Sequence, residues 1–553
     1  MVDPDSPVSN DKTKTPAAEG SALMPFRHQA FAVLWTATVV SNVGVWMQSA
    51  ASGWLMTSLN PDPFIVSLVQ VATALPMFLF SLPAGGLADI IDRRRLLVWV
   101  QLVLVGLTAG FAIFVWLGRV TPEFLLTFTF LSTAFSALIT PAWQAIVPQL
   151  VPQKDLQSAV ALNSVGLNVS RAVGPALAGF IISLWGIAAP FCVNALSTVG
   201  VIGGLIWWRP PDDSSGRRFP PERFYRAVGT GLRHARYNPH LRATLVRAAG
   251  FFVFASAYWA LLPLIARDQI KGDPELYGLL LGAIGLGAVA GAFTLPFLKR
   301  RFGPNRLVAG GTVGTALAMV LFALAREPSA ALIASLIAGV SWIAVLATIN
   351  VSAQVALPSW VRGRGLAIYG TVMFGSLSLG SAVWGKMAAH TGLPAAHFIA
   401  AAGALIFVPL SWHAKLQTGA DFDLTPSTHW PEPTLSRAVN ADDGPILVTV
   451  EYQISLADRA AFLRVLFEFA DERRRDGAFD WQVFEDTAQE GRFIEAFMLD
   501  SWADHLRQHE RVTQADRELQ LRVNRYQKVG EPKVTHFRSC NDSWSFGDES
   551  AEF

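Results

Sequence analysis

The sequence predicts an all-α membrane protein that carries a soluble α+β domain at its C-terminal end, and two observations lead to this. Between about residues 31 and 412 the chain is an apolar ribbon. The ribbon breaks into stretches of about 20 residues, the length that a helix needs to cross the hydrocarbon core of a bilayer. Charge collects outside it: of 42 acidic residues, 16 precede Lys415 and 26 follow, whereas the basic residues divide 28 to 16. The front part therefore has a net charge of +12 and the tail of −10.

Composition excludes a purely soluble protein. Hydrophobic residues make up 52% of the 553-residue chain and charged residues only 16%, whereas soluble domains carry about 25% charged residues. The overall charge of +2 averages two unlike parts, so it gives no reason to expect a nucleic-acid partner. The two cysteines, Cys192 and Cys540, fall in the ribbon and in the tail, so no disulfide is expected. No spacing of ligand residues predicts a metal or a cofactor.

Twelve apolar segments bounded by turn residues or charges predict twelve transmembrane helices. They fall at 30–57, 64–88, 96–117, 123–147, 159–184, 190–208, 246–266, 276–298, 307–325, 330–356, 366–388 and 394–414. The predicted units are a disordered leader (1–25), a first six-helix half (26–208), a cytosolic linker (209–243), a second six-helix half (244–414), a second linker (415–443), a ferredoxin-like cytosolic domain (444–540) and a tail (541–553).

Basic residues in alternate loops set the predicted orientation. Loops on one side hold Arg93–Arg95, the arginines of the 209–243 linker and Lys299–Arg301, whereas the other side holds little beyond four basic residues. Because cytoplasmic loops carry the excess of Lys and Arg, both termini are expected in the cytosol. Within the linker, an amphipathic helix near 222–236 is expected to lie against anionic lipid headgroups.

The two halves echo each other at an offset of 210 residues. Gln144 and Pro148 at the end of the fourth span correspond to Gln354 and Pro358 at the end of the tenth. Parallel repeats of six spans around a central pathway are the architecture of a rocking transporter.

The loop between the second and third spans carries a candidate latch, Gly85, Asp89, Arg93 and Arg94. A small residue allows two helices to approach closely, and Asp89 can accept charge-assisted hydrogen bonds that hold one state of a carrier. Alternatively, the arginines merely fix the topology. These residues resemble the loop motif of the major facilitator superfamily, although Ile90 and Asp92 depart from it.

The fifth span contains Gly174, Pro175 and Gly179. Gly and Pro permit close packing and bending in a membrane helix. The run resembles the fifth-span motif of facilitator-superfamily exporters, with one glycine replaced by Ala178. That resemblance implies efflux by antiport. Proton coupling is implied by the family alone, because no span has a carboxylate at the depth of Arg171.

Polar residues inside the spans are the candidate substrate cavity: Asn42, Gln48, Gln144, Asn168, Arg171 and Gln354. A charged side chain at mid-membrane costs several kcal/mol unless it is paired or hydrated. Arg171 therefore either faces the central cavity and meets an anionic or hydrogen-bonding substrate, or bonds Asn168 and backbone carbonyls as a structural clamp. Both alternatives remain open at this point.

The first span and the run Pro141–Pro148 resemble the enterobactin-exporter branch, also called the transmembrane secretion effector family. The resemblance implies a secondary active transporter in a bacterial cytoplasmic membrane, with membrane lipids around it and protons as the coupling ion. It also implies a siderophore-like or amphipathic drug-like cargo. A lipid or lysolipid transporter is the alternative within the same class.

The tail alternates strands and helices in the order of the split βαβ, ferredoxin-like arrangement. Residues 501–509 resemble the dimeric α+β barrel family of antibiotic-biosynthesis monooxygenases. His505 and His509 share a helix face and could act in acid–base chemistry, which leaves a membrane-anchored oxidoreductase as a competing function. An accessory domain that senses substrate or pairs two subunits is the favoured interpretation, so no enzyme activity is expected.

Overall fold

The computed structural model describes residues 23–90, 92–209, 224–417, 423–427, 429–430 and 439–539. The helices of its apolar part are α1 (Gln29–Leu59), α2 (Pro63–Ile90), α3 (Arg93–Trp116), α4 (Pro122–Ser136), α5 (Ile139–Leu150), α6 (Leu156–Trp185), α7 (Ala189–Trp207), α8 (Phe224–Tyr237), α9 (Pro239–Leu264), α10 (Pro274–Leu324), α11 (Pro328–Val355), α12 (Arg362–Thr391) and α13 (Leu393–Leu410). Residues 1–22 of the predicted leader and the C-terminal tail (541–553) lie outside the described residues, as do 418–422, 428 and 431–438 of the second linker.

Eleven helical segments of the described chain are long and apolar enough to cross a membrane, with α4 and α5 forming one of them. The predicted segments 276–298 and 307–325 are joined in α10, a run of 51 residues. At 1.5 Å per residue this run measures about 76 Å, far more than one crossing of about 30 Å. It bends at Gly303, where φ is 71° and ψ is 168°, a conformation that favours glycine.

Polar residues at the segment boundaries begin the helices. Asp92 accepts a hydrogen bond from the Arg95 backbone N–H at 2.7 Å, and Asp273 does the same for Leu276 at 2.9 Å. Such N-caps satisfy backbone donors that have no partner within the helix. Asp92, which departs from the family loop motif, therefore has a local structural role in this chain.

Two helix pairs join the halves of the bundle, α2 with α12 and α6 with α10. We name the two ends of the bundle by the position of the C-terminal domain. The domain end holds the starts of α1, α3 and α9, and the far end holds their opposite ends. The Oγ atoms of Ser81 and Thr371 lie 2.9 Å apart between α2 and α12, and Gly385 of α12 contacts Ser67.

Helix α8 confirms the helix predicted in the linker, but its environment differs from the predicted headgroup layer. Gly231 lies against Arg364 and Ile368 of α12, and the His234 side chain is only 1% exposed. Small residues at 231 and 235 let the helix approach its neighbours closely. Helix α8 is therefore held between the bundle and the C-terminal domain.

The C-terminal domain contains β1 (Ile446–Gln453), α14 (Arg459–Arg475), β2 (Phe479–Glu485), β3 (Arg492–Leu499), α15 (Trp502–Arg511), α16 (Gln514–Asn524) and β4 (Lys533–Arg538). These strands form an antiparallel sheet in the order β2-β3-β1-β4. One face of the sheet packs on α14 through Phe462, Leu466 and Phe469, which are at most 2% exposed. The predicted alternation of strands and helices in the tail is thus found in the structure.

A charged pair lies inside this core. Arg473 Nε and Glu495 Oε1 are 3.3 Å apart, and the Glu495 side chain is fully buried. Trp481 Nε1 donates to Oε1 at 2.8 Å and the Tyr452 hydroxyl donates to Oε2 at 3.1 Å. Each carboxylate oxygen therefore has a hydrogen-bond donor, which a buried charge requires.

Candidate functional site

Arg171 lies at the middle of α6, 15 residues from its first residue and 14 from its last. Its guanidinium carbon lies 5.2 Å from the ring centroid of Trp46 on α1, a cation–π distance. Its Nε is buried without a hydrogen-bond partner. The cation is thus held by an aromatic face while part of its hydrogen-bonding capacity remains unused.

The second half of the bundle contributes to the same place. Tyr258 of α9 is fully buried, its hydroxyl has no hydrogen-bond partner, and it interacts electrostatically with Arg171. The neighbouring Trp259 Nε1 is also buried without a partner. Polar groups left unpaired in an apolar bundle are costly, so α1, α6 and α9 form a polar centre in which the Arg171 Nε and the Tyr258 hydroxyl have unused hydrogen-bonding capacity.

The remaining predicted cavity residues are placed differently. The Asn168 side chain donates to the Ser164 carbonyl of its own helix at 2.8 Å, which does not match a clamp on Arg171. Gln48 Oε1 accepts from Asn194 Nδ2 of α7 at 2.6 Å. Gln48 therefore joins α1 to α7 within the first half. Asn42 is half-buried on α1.

The two echoed glutamines occupy matching positions at the domain end. Gln144 of α5 is exposed, and so is Gln354 at the end of α11. The Gln354 side chain donates to Asn350 Oδ1 at 2.5 Å. Neither residue contacts Arg171, so the structure separates the predicted cavity set into a mid-bundle centre and two residues near the domain end.

The residues of the fifth-span motif lie where α6 approaches its neighbours closely. A methyl group added at Gly174 would lie 2.6 Å from the Trp46 Cβ, and one at Gly179 would lie 2.5 Å from the Pro274 carbonyl oxygen. Pro175 presents its carbonyl oxygen 2.6 Å from the corresponding point at Gly278 of α10. Small residues thus let one half touch the other along the far-end part of α6.

Residues that the sequence analysis missed hold the far end together. The rings of Trp54 on α1 and Tyr277 on α10 stack with centroids 6.0 Å apart. Arg267 Nη1 donates to Thr57 Oγ1 at 3.0 Å and to Ser58 Oγ at 2.8 Å. A lone arginine in a predicted outer loop was the available signal, but its partner 210 residues away could not be read from the sequence.

Only part of the predicted latch can be described. Arg94 donates to the carbonyls of Leu205 and Ile206 at 2.7 Å each, where it caps the end of α7. Last-turn carbonyls lack partners within their helix, and a cation there is favourable. Arg93 is half-buried, and the surroundings of Gly85 and of the Asp89 side chain lie outside what the structure describes.

The predicted histidine pair in α15 is part of a larger cluster. The ring of His505 lies 4.7 Å from that of His509 and 4.6 Å from that of His536 on β4. Burial, and then the other histidines, lower the pKa of His505 to about 3 and that of His509 to about 4. No group of three His, Cys, Asp or Glu residues in the described part of the chain is placed to hold a metal ion.

One known protein family matches nearly the whole chain. The model of the transmembrane secretion effector family matches residues 20–543. The chain belongs to this family. The predicted resemblance to this branch of the major facilitator superfamily is thereby confirmed.

The names of two relatives of this protein say which compound each one exports. It is 26% identical to the enterobactin exporter EntS of Shigella boydii, over 54% of this chain and 70% of that protein. It is 23% identical to the macrolide efflux protein A of Streptococcus pyogenes, over 46% of this chain and 66% of that protein. The latter match covers just under two thirds of the relative's length. Both relatives are named as exporters.

A solved structure confirms the fold. The bacterial homologue of the human lysosomal transporter Spinster, in an inward-facing and unoccupied conformation, superposes with a TM-score of 0.57 at 15% identity. The match covers 71% of this protein and 97% of that chain. The helical bundle therefore has the same fold as that chain.

Proposed function

We propose that this protein exports a small molecule, siderophore-like or amphipathic and drug-like, across the bacterial cytoplasmic membrane by proton antiport. The family membership and the two named relatives support export. The observation that carries the proposal is Arg171, which lies at mid-bundle between Trp46 of the first half and Tyr258 of the second.

Arg171 and its neighbours suit cargo with an anionic or hydrogen-bonding group on an aromatic body. The unpaired Nε of Arg171 and the unpaired hydroxyl of Tyr258 offer donors to such a group. Trp46 offers a ring face beside them. A ligand that supplies hydrogen-bond acceptors removes the cost of burying these donors without partners. Such a ligand should therefore bind here in preference to water or to a purely apolar molecule.

We infer twelve crossings, because α10 is long enough for two and bends at Gly303 between them. The flanking Lys299, Arg300 and Arg301 place this bend in the cytosol by the distribution of basic residues. The domain end is then cytosolic and both termini face the cytosol. The predicted unit boundaries, from the first half at 26–208 to the cytosolic domain at 444–540, follow from the same assignment.

The halves open alternately around the Arg171 centre. Contacts of Gly179 with Pro274 and of Arg267 with Thr57 close the far end in the present arrangement. The exposed Gln144 and Gln354 then line the cytosolic approach, and Asn42 and Asn168 lie along it. Reversal of these contacts gives the outward-open state, in which Gly85, Asp89, Arg93 and Arg94 form the cytosolic latch.

The sheet order β2-β3-β1-β4 with antiparallel neighbours supports a ferredoxin-like assignment of the C-terminal domain. Its second sheet face carries Phe484 and Phe537, which are 52% and 50% exposed. We infer that this domain is an accessory unit that pairs two copies of the chain through this face.

Transport by purified protein in proteoliposomes tests the proposal. Fluorescent macrolide and siderophore conjugates are supplied with a pH gradient imposed in either direction. We expect accumulation that follows the gradient, loss of at least tenfold in Arg171→Ala, and partial retention in Arg171→Lys, which keeps the charge but not the planar fork. The variant Arg119→Ala, outside the polar centre, is the matched control.

Wild-type rates and selectivity in Arg171→Ala contradict the assigned role of Arg171. Cargo movement that ignores the imposed gradient contradicts proton antiport alone and leaves the export pathway standing.

A further inference from the structure

A cavity of about 520 Å³ lies between the helical bundle and the C-terminal domain. Its bundle wall is formed by Tyr237–His240 at the α8–α9 junction and by Val355 and Ala356 at the end of α11. Its domain wall is formed by residues of α14 and α16. The volume falls within the range of about 300–1,000 Å³ that is typical of small-molecule pockets.

The two walls are held in place by specific contacts. The guanidinium of Arg511 lies 4.5 Å from the ring centroid of Trp360 in the α11–α12 connection. The His234 ring packs edge-on against the same indole at 5.6 Å, and Asn238 Nδ2 donates to the Ala356 carbonyl at 2.9 Å. The cavity is thus framed by an interface with defined geometry and is more than a surface groove.

The lining of the cavity is rich in carboxyl groups. Its acidic residues are Glu468, Asp471, Glu472, Asp516 and Glu518, against two arginines, Arg475 and Arg522. Both arginines are already paired, Arg475 with Asp476 and Asp516 at 3.0 and 2.8 Å, and Arg522 with Glu468 at 3.0 Å. Asp471 pairs with Arg474 at 3.4 Å, which leaves Glu472 and Glu518 as the lining carboxyl groups without an ion pair among the described residues.

The protonation of Glu472 reflects its burial and the carboxyl groups around it. Its Oε2 is buried without a hydrogen-bond partner. Burial first, and then Asp516, raise the pKa of Glu472 to about 9, although Arg475 opposes this and Asp476 adds to it. The groups that face the cavity from the bundle, Tyr237 and His240, carry no negative charge. Without a ligand, Glu472 therefore keeps its proton at neutral pH.

Apolar side chains complete the lining. Leu519 of α16, Leu424 of the linker and Val355 of α11 lie on different sides of the cavity. No three carboxylates or histidines among the described residues converge on one point as a metal ion requires. We propose that this cavity binds a small organic cation with an apolar body, at a site separate from the central pathway.

Occupancy links the accessory domain to the transporter. A ligand that touches both walls binds the docked arrangement more tightly than the separated one, so it stabilises docking in proportion to its concentration. The walls on the bundle side belong to α8, α9 and α11, which are elements of the second half and its linker. The cation thus stabilises the attachment of the domain to one half of the carrier. This site does not depend on the direction of transport.

Calorimetric titration of the full chain in lipid nanodiscs tests the proposal with benzyltriethylammonium, which carries a permanent charge. Glu472→Gln keeps the shape of the side chain and removes its ability to ionise, and Glu518→Lys reverses a charge at an exposed position. We expect both to weaken binding at least tenfold. Glu510→Gln and Glu510→Lys, on α15 outside the cavity, should bind as the wild type does.

A second readout follows the proton. Because a bound cation favours the ionised form of Glu472, binding at pH 7 should release up to one proton in the wild type and none from this group in Glu472→Gln. Titrations in buffers of different ionisation enthalpy measure this release.

The proposal fails if the wild type does not bind the probe at millimolar concentration, or if both cavity variants bind it with unchanged affinity. If Glu472→Gln does not yield a folded protein, the comparison of Glu518→Lys with Glu510→Lys decides.

Discussion

Gly179→Ala should shift the carrier away from the arrangement described here. Gly179 lies where α6 meets the first turn of α10, and an added Cβ would lie 2.5 Å from the Pro274 carbonyl oxygen and 3.0 Å from the Glu275 Cα. Both neighbours are backbone atoms, which cannot rotate aside. The far-end contact must open by about 0.9 Å to reach an ordinary separation of 3.4 Å.

The magnitude follows from the cost of overpacking, which is about 1–3 kcal/mol. If the other state of the carrier lacks this contact, the ratio of the two states changes by about 5- to 150-fold. A carrier that starts at about 10:1 would reach about 2:1 at the lower limit. The far-end-open state should therefore become readily detectable.

Distance measurements between spin labels check this. Labels at Gln144→Cys and Gln354→Cys, in a chain with Cys192→Ser and Cys540→Ser, report the separation of the halves at the domain end. Gly179→Ala should transfer population to the shorter distance. Gly200→Ala is the matched control, because a Cβ there has no neighbour within 4 Å and the gain in helix propensity, about 1 kcal/mol, is the same.

An unchanged distance distribution in Gly179→Ala, with protein that remains folded, would refute the assignment of this contact as a state-dependent closure. An equal change in Gly200→Ala would attribute the effect to helix propensity instead.

Three further outcomes are expected. Glu495→Ala leaves Arg473 buried and unpaired, so it should cost about 3–5 kcal/mol and lower the unfolding temperature of the C-terminal domain by more than about 10 °C; normal thermal stability would contradict the buried pair. Arg511→Ala removes the contact with Trp360, worth about 0.5–2 kcal/mol, and hydrogen exchange in α8 should speed up accordingly, whereas unchanged protection would place the docking energy elsewhere. The pKa of His505 is lowered in the folded protein, so the unfolded chain binds a proton at this residue at higher pH than the folded chain does. The free energy of unfolding of the C-terminal domain should therefore fall from about pH 6.5 towards pH 4, by up to about 1.4 kcal/mol per pH unit for each such histidine. In His505→Asn, the plot of unfolding temperature against pH should have a smaller slope.

The lengths of the apolar segments, and the turn residues and charges that bound them, predicted most of the helices of the bundle. The helices found at Pro63–Ile90 and Ala189–Trp207 lie within two residues of the segments counted in the sequence, because membrane helices must be apolar over a fixed length. The strands of the C-terminal domain followed in the same way from alternation of apolar residues.

Tertiary partners could not be predicted, because they join residues far apart in the chain. Gln48 was assigned to the cavity by polarity alone, and only the structure shows that its side-chain oxygen accepts a hydrogen bond from Asn194. Helix α8 was assigned to the membrane surface by its amphipathic pattern, which does not distinguish lipid from protein as the apolar partner. The interdomain cavity has no sequence signal, since its walls come from separate elements.

Chemical modification of Arg171→Cys, in the chain without its two natural cysteines, tests the central pathway most directly. We predict that this variant transports poorly, that membrane-impermeant thiol reagents reach position 171 from the cytosolic side and from the opposite side in turn, and that a reagent carrying a quaternary ammonium group restores part of the transport while a neutral analogue does not. Full transport before modification, or no access from either side, would contradict the account.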